Sequence, residues 1–262
     1  MERLKVNKEN RLEGAVFFAI AILWMANVFS VGDDRLLLAY DSYVIGEKAV
    51  NIAERREAFN RALSFYAQIE RDYLYDDGRL YANIGNCFFQ LEEYGWSIFY
   101  YRKALMKMPR EEKIRKNLET AQKKTGTLQE DRIFFANYRF SKEECVFFSA
   151  LCFFFWIVFF SFYLWLRYKI LGFISLFLGV GGIFFSASLL YFHFLFYGKG
   201  ICVQSTLLHC DAGSHYALVR KSAVLPGEQV KILLVHENGE WCKVLLSDGS
   251  VGYVHSQTFR SL

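Results

Sequence analysis

Apolar and polar positions divide this chain into stretches of different period. Residues 1 to 13 are polar and carry Arg3, Lys5, Lys8 and Arg11; an apolar run from Gly14 to Val31 follows and ends at Asp33-Asp34. Basic, then apolar, then acidic is the order of a secretory signal or an uncleaved membrane anchor, and Val28-Phe29-Ser30 offers a mediocre cleavage site. From 33 to 128 apolar positions recur at three and four, which predicts helices. Val146 to Leu166 carries no formal charge and predicts a helix able to cross ~30 Å of hydrocarbon at about 1.5 Å per residue. Ile170 to Tyr197, also uncharged, predicts the return crossing, with Arg167-Tyr168-Lys169 as the turn. Beyond 199 the period shortens. Ile201–Val203, Ala217–Val219, Gln229–His236, Trp241–Leu246 and Val251–Val254 read as strands, with Asn238-Gly239 and Asp248-Gly249 as hairpin turns.

Two crossings joined by so short a turn are antiparallel, so whatever precedes Cys145 and whatever follows Tyr197 share one compartment. Charge alone leaves the orientation open, because Arg167 and Lys169 in the turn are balanced by Arg132, Arg139 and Lys142 before the first crossing. The N-terminal segment decides it: its basic end stays in the cytoplasm, which puts 33–144 and 198–262 outside.

Within the helical region one ladder stands out. With Gly78 as position 1, Tyr81 falls at 4, Ile84 at 7, Gly85 at 8, Phe88 at 11, Ser97 at 20, Tyr101 at 24, Ala104 at 27 and Pro109 at 32, the 34-residue tetratricopeptide pattern. Gly85 and Ser97 are small where two helices cross closely, Tyr81, Phe88 and Tyr101 fill the space around the crossing, and Pro109 stops the second helix. A chance amphipathic hairpin is the competing account; eight residues in register argue against it. Ala62, Tyr66 and Ile69 suggest the second helix of a preceding repeat, whose first helix lies near Arg35 to Ile45 with an irregular insertion between. Glu111 to Lys124, with Leu118 and Ala121, predicts a helix that caps the stack. So small a stack is expected to lean on the membrane or on the C-terminal region.

That region is similar to bacterial SH3 domains in three strings: Leu225-Pro-Gly-Glu-Gln-Val230, Glu240-Trp-Cys-Lys-Val244 and Asp248-Gly-Ser-Val-Gly-Tyr-Val254, with Tyr253 in place of the customary Trp. The expected fold class is therefore a mixed membrane protein: an α-helical tetratricopeptide repeat domain, a transmembrane helical hairpin and a small all-β SH3-like barrel. The expected boundaries are signal or anchor 1–32, repeats 33–128, linker 129–144, transmembrane helices 145–167 and 170–197, and SH3-like domain 199–262.

Composition narrows the function classes. A net charge of +4, evenly spread and without a basic run interleaved with aromatics, excludes nucleic-acid binding as a reading. No G-x-S-x-G, H-E-x-x-H or phosphate loop occurs, so no enzymatic activity, cofactor or metal is expected. Cys202, His209, Cys210 and His215 have no finger spacing and read as loop and core residues. Cys242 with His236 or His255 would form a thiol nucleophile pair, but Cys242 lies inside a strand with a packing role. A disulfide among Cys202, Cys210 and Cys242 is compatible with export; small buried hydrophobes are the other account of these thiols. His193 reads as interfacial rather than as part of a proton path. Gly182 and Ser186 form a small-x-x-x-small pair able to seat another helix.

Signal or anchor, repeats, two spans and an SH3-like barrel, in that order, resemble the BatE proteins of the bacterial aerotolerance operon. Leu80-Tyr-Ala-Asn-Ile-Gly-Asn86, Ser97-Ile98 with Tyr101, and Asn117-Leu118-Glu119 are similar to that family's local strings. The resemblance implies an adaptor in the bacterial inner membrane, with its soluble domains in the periplasm. It also implies von Willebrand factor A domain proteins as partners, encoded alongside a MoxR-type ATPase. In such repeats the groove is lined by positions corresponding here to Arg79, Ala82, Asn83, Asn86 and Phe89. Two amides and an Arg beside an aromatic suit an extended or acidic peptide, whereas satisfying neighbouring backbone groups is the competing role for Asn83 and Asn86. Trp241 and Tyr253 suggest an aromatic shelf for a peptide or for peptidoglycan, with a half-core packing role the competing account for Trp241. A wall-binding or wall-sensing module that recruits a cell-wall enzyme is the alternative reading.

Overall fold

The computed structural model describes residues 34–72, 76–127, 140–196, 198–236 and 239–262; the sequence readings on 1–33, on the linker from 129 to 139 and on the His193 side chain lie outside what it describes. The chain divides at residue 72 into two units. In the first, α1 (Asp34–Lys48) pairs with α2 (Ile52–Arg71). The irregular insertion expected between them is absent, because only Ala49-Val50-Asn51 links the helices. Asn51 caps α2 by accepting from the Ala53 amide at 2.9 Å, which starts the second helix at once. The face α1 buries is made of small residues, Ala39, Ser42 and Gly46, and at Gly46 a Cβ would stand 3.0 Å from the Phe59 ring. Leu37, Leu38, Tyr40 and Ile45 are exposed.

The second unit opens with α3 (Gly78–Gln90) and α4 (Tyr94–Lys107), followed by α5 (Glu112–Thr125). Asp77 caps α3 through the Arg79 amide, and Gly126 ends α5 in the left-handed region at φ 78°. The α3–α4 crossing is as close as the ladder requires: a Cβ on Gly85 would lie 2.7 Å from the Tyr101 ring. Ser97 is fully buried, and Ile84, Ile98, Leu105 and Leu118 complete the interior.

Next come α6 (Lys142–Leu166) and α7 (Lys169–Phe196). Segments Lys142–Leu166 and Lys169–Tyr191 are long and apolar enough to cross a membrane. α6 begins inside the stretch read as linker, because Ser141 and Glu144 form a capping box there, at 2.9 and 3.1 Å. Gly172 lies under Tyr163, Gly179 under Trp156 and Gly182 under Phe153, while the Ser149 and Ser186 hydroxyls meet at 2.9 Å. These four pairs step along the hairpin in strict antiparallel register. Gly182 and Ser186, expected to seat another helix, thus seat this chain's own α6.

The last part is a five-stranded antiparallel sheet of β1 (Lys199–Cys202), β2 (Gln229–Val235), β3 (Trp241–Leu246), β4 (Val251–His255) and β5 (Phe259–Ser261), in the order β4-β3-β2-β1-β5. Gly239 and Gly249, at φ 71° and 84°, have the positive φ expected of the two turns; Asn238 lies outside the described residues. Ala217–Val219 is not a strand; only Leu218 makes a bridge, to His209. β5 was not foreseen. Cys242, Val244 and Leu246 alternate into a core with Leu208, Val224 and Val254.

A buried carboxylate organises the long connection between β1 and β2. Glu228 accepts from the Leu225 amide at 3.0 Å and from Arg220 at 3.2 Å, and Arg220 also reaches Asp248 at 2.6 Å. Asp248 is held below the usual carboxylate range, first by hydrogen bonds from Ser250 and then by Arg220. Since its folded value lies below the ordinary 3.8, its contribution is complete above that pH and is lost as pH falls through and below it. The urea midpoint of the sheet should therefore decline more steeply below about pH 4 in the natural chain than in Asp248→Asn. Parallel pH profiles would refute this.

The helices and the sheet are not separate beads. The start of α4 packs so closely on the connection after β1 that a Cβ on Gly95 would lie 2.2 Å from the Val203 carbonyl oxygen and 3.0 Å from Pro226. Gly227, at φ 91°, sits against Ile98, and the Arg260 guanidinium stands 4.9 Å over the Trp96 ring. Lys107 bridges Asp76 and Glu143 at 2.6 Å each, and Arg110 pairs with Glu144, tying α4 and the turn after it to the first turn of α6. The expected leaning of the helices on the C-terminal region is present here.

Candidate binding surfaces

Arg79, Asn83 and Asn86 recur at four and three along α3 and share one face. They differ in what they offer. Arg79 and Asn83 are exposed. The Asn86 amide oxygen accepts from the Tyr101 hydroxyl at 2.7 Å and from the Asn117 amide at 3.1 Å, so it joins α3 to both α4 and α5. Asn86 therefore serves the fold, and does so through side chains rather than the backbone groups expected. Burial pushes the Tyr101 phenol above its ordinary value, which keeps it a hydrogen-bond donor. Phe89 is half-buried, with Tyr94 edge-on at 5.5 Å. The polar heads left to a ligand on this face are those of Arg79 and Asn83, with Phe89 further along the helix.

On the sheet, Trp241 and Tyr253 emerge on the face opposite the core, since Cys242 and Val254 alternate inward between them and their neighbours. Both rings are half-buried. Trp241 lies between His209 and His255, edge-on to each at 5.5 and 5.7 Å. Lys243 stands opposite Tyr253 in register, its Nζ 5.8 Å from the ring. His209 is brought in by the loop, which pairs its backbone with Tyr253 and anchors its Nδ1 at 3.0 Å from the Tyr216 carbonyl. Gly252 permits this approach, because a Cβ there would lie 2.6 Å from the His209 carbonyl oxygen.

Sequence reasoning singled out the two large aromatics and missed His209, His255 and Lys243 as their neighbours. Strand alternation from Trp241 to Lys243 and from Tyr253 to His255 carried that signal; the fold-back of His209 had none. The shelf thus gains Lys243 and His255 as half-buried neighbours, while the buried His209 supports the indole edge-on; the Lys243 ammonium favours anionic ligand groups.

Cys87, Cys145, Cys202 and Cys242 are buried and have packing roles, whereas Cys210 is exposed. Burial pushes Cys87 and Cys202 up to about 12, with the Glu228 charge adding to the effect at Cys202. Cys242 is raised by burial and points into the core, while His255 lies on the other face, so the Cys242–His255 pair is not assembled. All six cysteines are free, including the three weighed for a disulfide. Among the described residues no three His, Cys, Asp or Glu side chains converge as a metal set.

Compared with known proteins, the chain matches no family model and no curated relative.

Proposed function

We propose that this chain is a membrane-held, non-enzymatic adaptor in which tetratricopeptide-type helix pairs and an SH3-like barrel, both outside the cytoplasm, dock other envelope proteins. What supports the reading most is the direct packing of α4 on the sheet at Gly95 and Gly227, with Lys107 and Arg110 tying the other end of α4 and the turn after it to the first turn of α6. Sequence segments on either side of two crossings can pack on each other only if both lie on one side of the bilayer. The resemblance to BatE proteins adds the compartment, the periplasmic face of a bacterial inner membrane, and von Willebrand factor A domain proteins as partners.

Arg79, Asn83 and Phe89 are the proposed peptide-binding residues of the helices, and Trp241 and Tyr253 those of the sheet. A photo-crosslinking amino acid at Asn83, in intact membranes, should trap one or a few discrete proteins, and Arg79→Ala should weaken the adduct several-fold. Absence of any protein adduct at Asn83, together with retention of the purified chain on isolated sacculi, would overturn the adaptor reading in favour of the wall-binding one. Protease digestion of one soluble end but not the other in spheroplasts would overturn both.

A further inference from the structure

The surface that holds Arg79 and Asn83 does not end with α3. Arg79, Asn83, Asn86 and Gln90 stand at intervals of four, three and four along that helix, and Lys113, Asn117, Thr120 and Lys124 repeat the same intervals along α5. Each set therefore forms one longitudinal row. The turns at 91–93 and 108–111 are short, so α3, α4 and α5 alternate in direction, and α3 and α5 run the same way. The Asn117 amide donates to the Asn86 side-chain oxygen at 3.1 Å, which joins the two rows into one surface.

The joined surface has one sign of charge. Its rows hold the cations Arg79, Lys113 and Lys124, the amides of Asn83, Asn86, Gln90 and Asn117, and Thr120, with no carboxylate among them. Arg79, Asn83, Lys113, Thr120 and Lys124 are exposed, whereas Asn86 and Asn117 bond to each other. The acids of α5 that flank its row, Glu112 and Glu119, pair with Lys116 and Lys123 at 2.9 Å each. Arg79 and Lys113 are the second residues of their helices, at the end where a helix dipole also attracts anions. Lys113 and Lys124 are 11 residues apart, roughly 17 Å along the helix at about 1.5 Å per residue, which is the reach of about five residues of extended chain.

We propose that α3 and α5 together form one docking surface for an extended acidic segment of a partner protein, with Arg79, Lys113 and Lys124 taking its carboxylates and the Asn83 and Gln90 amides its peptide groups. This inference rests on the adaptor reading and extends the binding face from α3 to α5. Charge complementarity selects the occupant, because a cationic surface without a carboxylate repels basic segments and draws acidic ones. The amides among the cations select a polypeptide over anionic lipid or a phosphate-bearing glycan. An amide side chain both donates to and accepts from a peptide group, whereas a phosphate dianion only accepts and leaves the amide oxygen unmatched.

The test places a photo-crosslinking amino acid at Thr120 of the full chain in intact membranes and compares its adducts with those formed from Asn83. Both positions are exposed, so the substitution spares the core. The two should trap the same protein, and the crosslinked peptides should be rich in Asp and Glu. Lys113→Gln combined with Lys124→Gln should lower the Thr120 adduct roughly fivefold, and Lys113→Arg combined with Lys124→Arg should retain it. Lys, Gln and Arg have similar helix propensities, so α5 survives both changes. Lys221→Gln, exposed in the connection between β1 and β2, should leave the adduct unchanged. A protein trapped at Asn83 but not at Thr120, or a Thr120 adduct indifferent to both lysines, overturns the two-helix surface and leaves the adaptor standing. A Thr120 adduct with lipid, with glycan or with a segment poor in acids, while Asn83 still traps a protein, has the same consequence. Absence of protein at both positions overturns the two-helix surface, and with retention on sacculi the adaptor reading as well.

Discussion

Gly95→Ala is expected to separate the helices from the sheet. The added methyl would lie 2.2 Å from the Val203 carbonyl oxygen and 2.7 Å from its carbonyl carbon, both backbone atoms that no rotamer change can move aside. Overpacking of this kind costs about 1–3 kcal/mol and more where backbone is the obstacle. Gly227, at φ 91° and close against Ile98 in the same contact, leaves little room for the loop to shift. In hydrogen exchange, Gly95→Ala should lose amide protection at the start of α4 and around Val203 together, while β3 and β4 keep theirs. Glu93→Ala, one turn boundary away at an exposed residue without a capping hydrogen bond, should change neither. Unaltered protection in Gly95→Ala would mean that the contact carries no stability.

The second large effect belongs to Tyr101. Its ring fills the space over Gly85, it is 1 % exposed, and its hydroxyl donates to Asn86, which also binds Asn117. Tyr101→Ala removes the ring and the link between three helices, an expected loss of about 3–5 kcal/mol. Tyr101→Phe keeps the ring and should cost about 1 kcal/mol, the net worth of one buried hydrogen bond. Denaturant titration in mild detergent separates the two. Equal losses would shift the weight from packing to the hydroxyl; a small loss in both would remove Tyr101 as the centre of the crossing.

Much of this architecture is legible because period and size are local properties. The ladder of residues from Gly78 to Pro109 predicted a helix pair, and the pair is present with Gly85 against Tyr101. Strand alternation and the Gly239 and Gly249 turns were equally readable, since glycine marks positive φ. What escaped depends on distant partners. β5 is three residues long and exists because β1 offers it an edge. Asn86 looked like a ligand residue because its partners, Tyr101 and Asn117, lie 15 and 31 residues away. Gly182 and Ser186 looked available to a foreign helix because nothing local indicates which helix large side chains will come from. The His209 contribution to the sheet surface came from a loop with no period at all.

The contact at Gly95 also sets an order of events during synthesis. α4 leaves the ribosome long before its partner Val203, and two apolar helices must be made between them. The sheet is complete only when Ser261 is added, about 136 residues after α5 ends at Thr125, on the order of 7–27 s at bacterial and eukaryotic elongation rates. Through that interval Ile98 and Trp96 await a cover that arrives last. The nascent helices therefore need either a chaperone or their own weak pairing to stay out of trouble, and the C-terminal sixty or so residues act as the latch that closes the molecule.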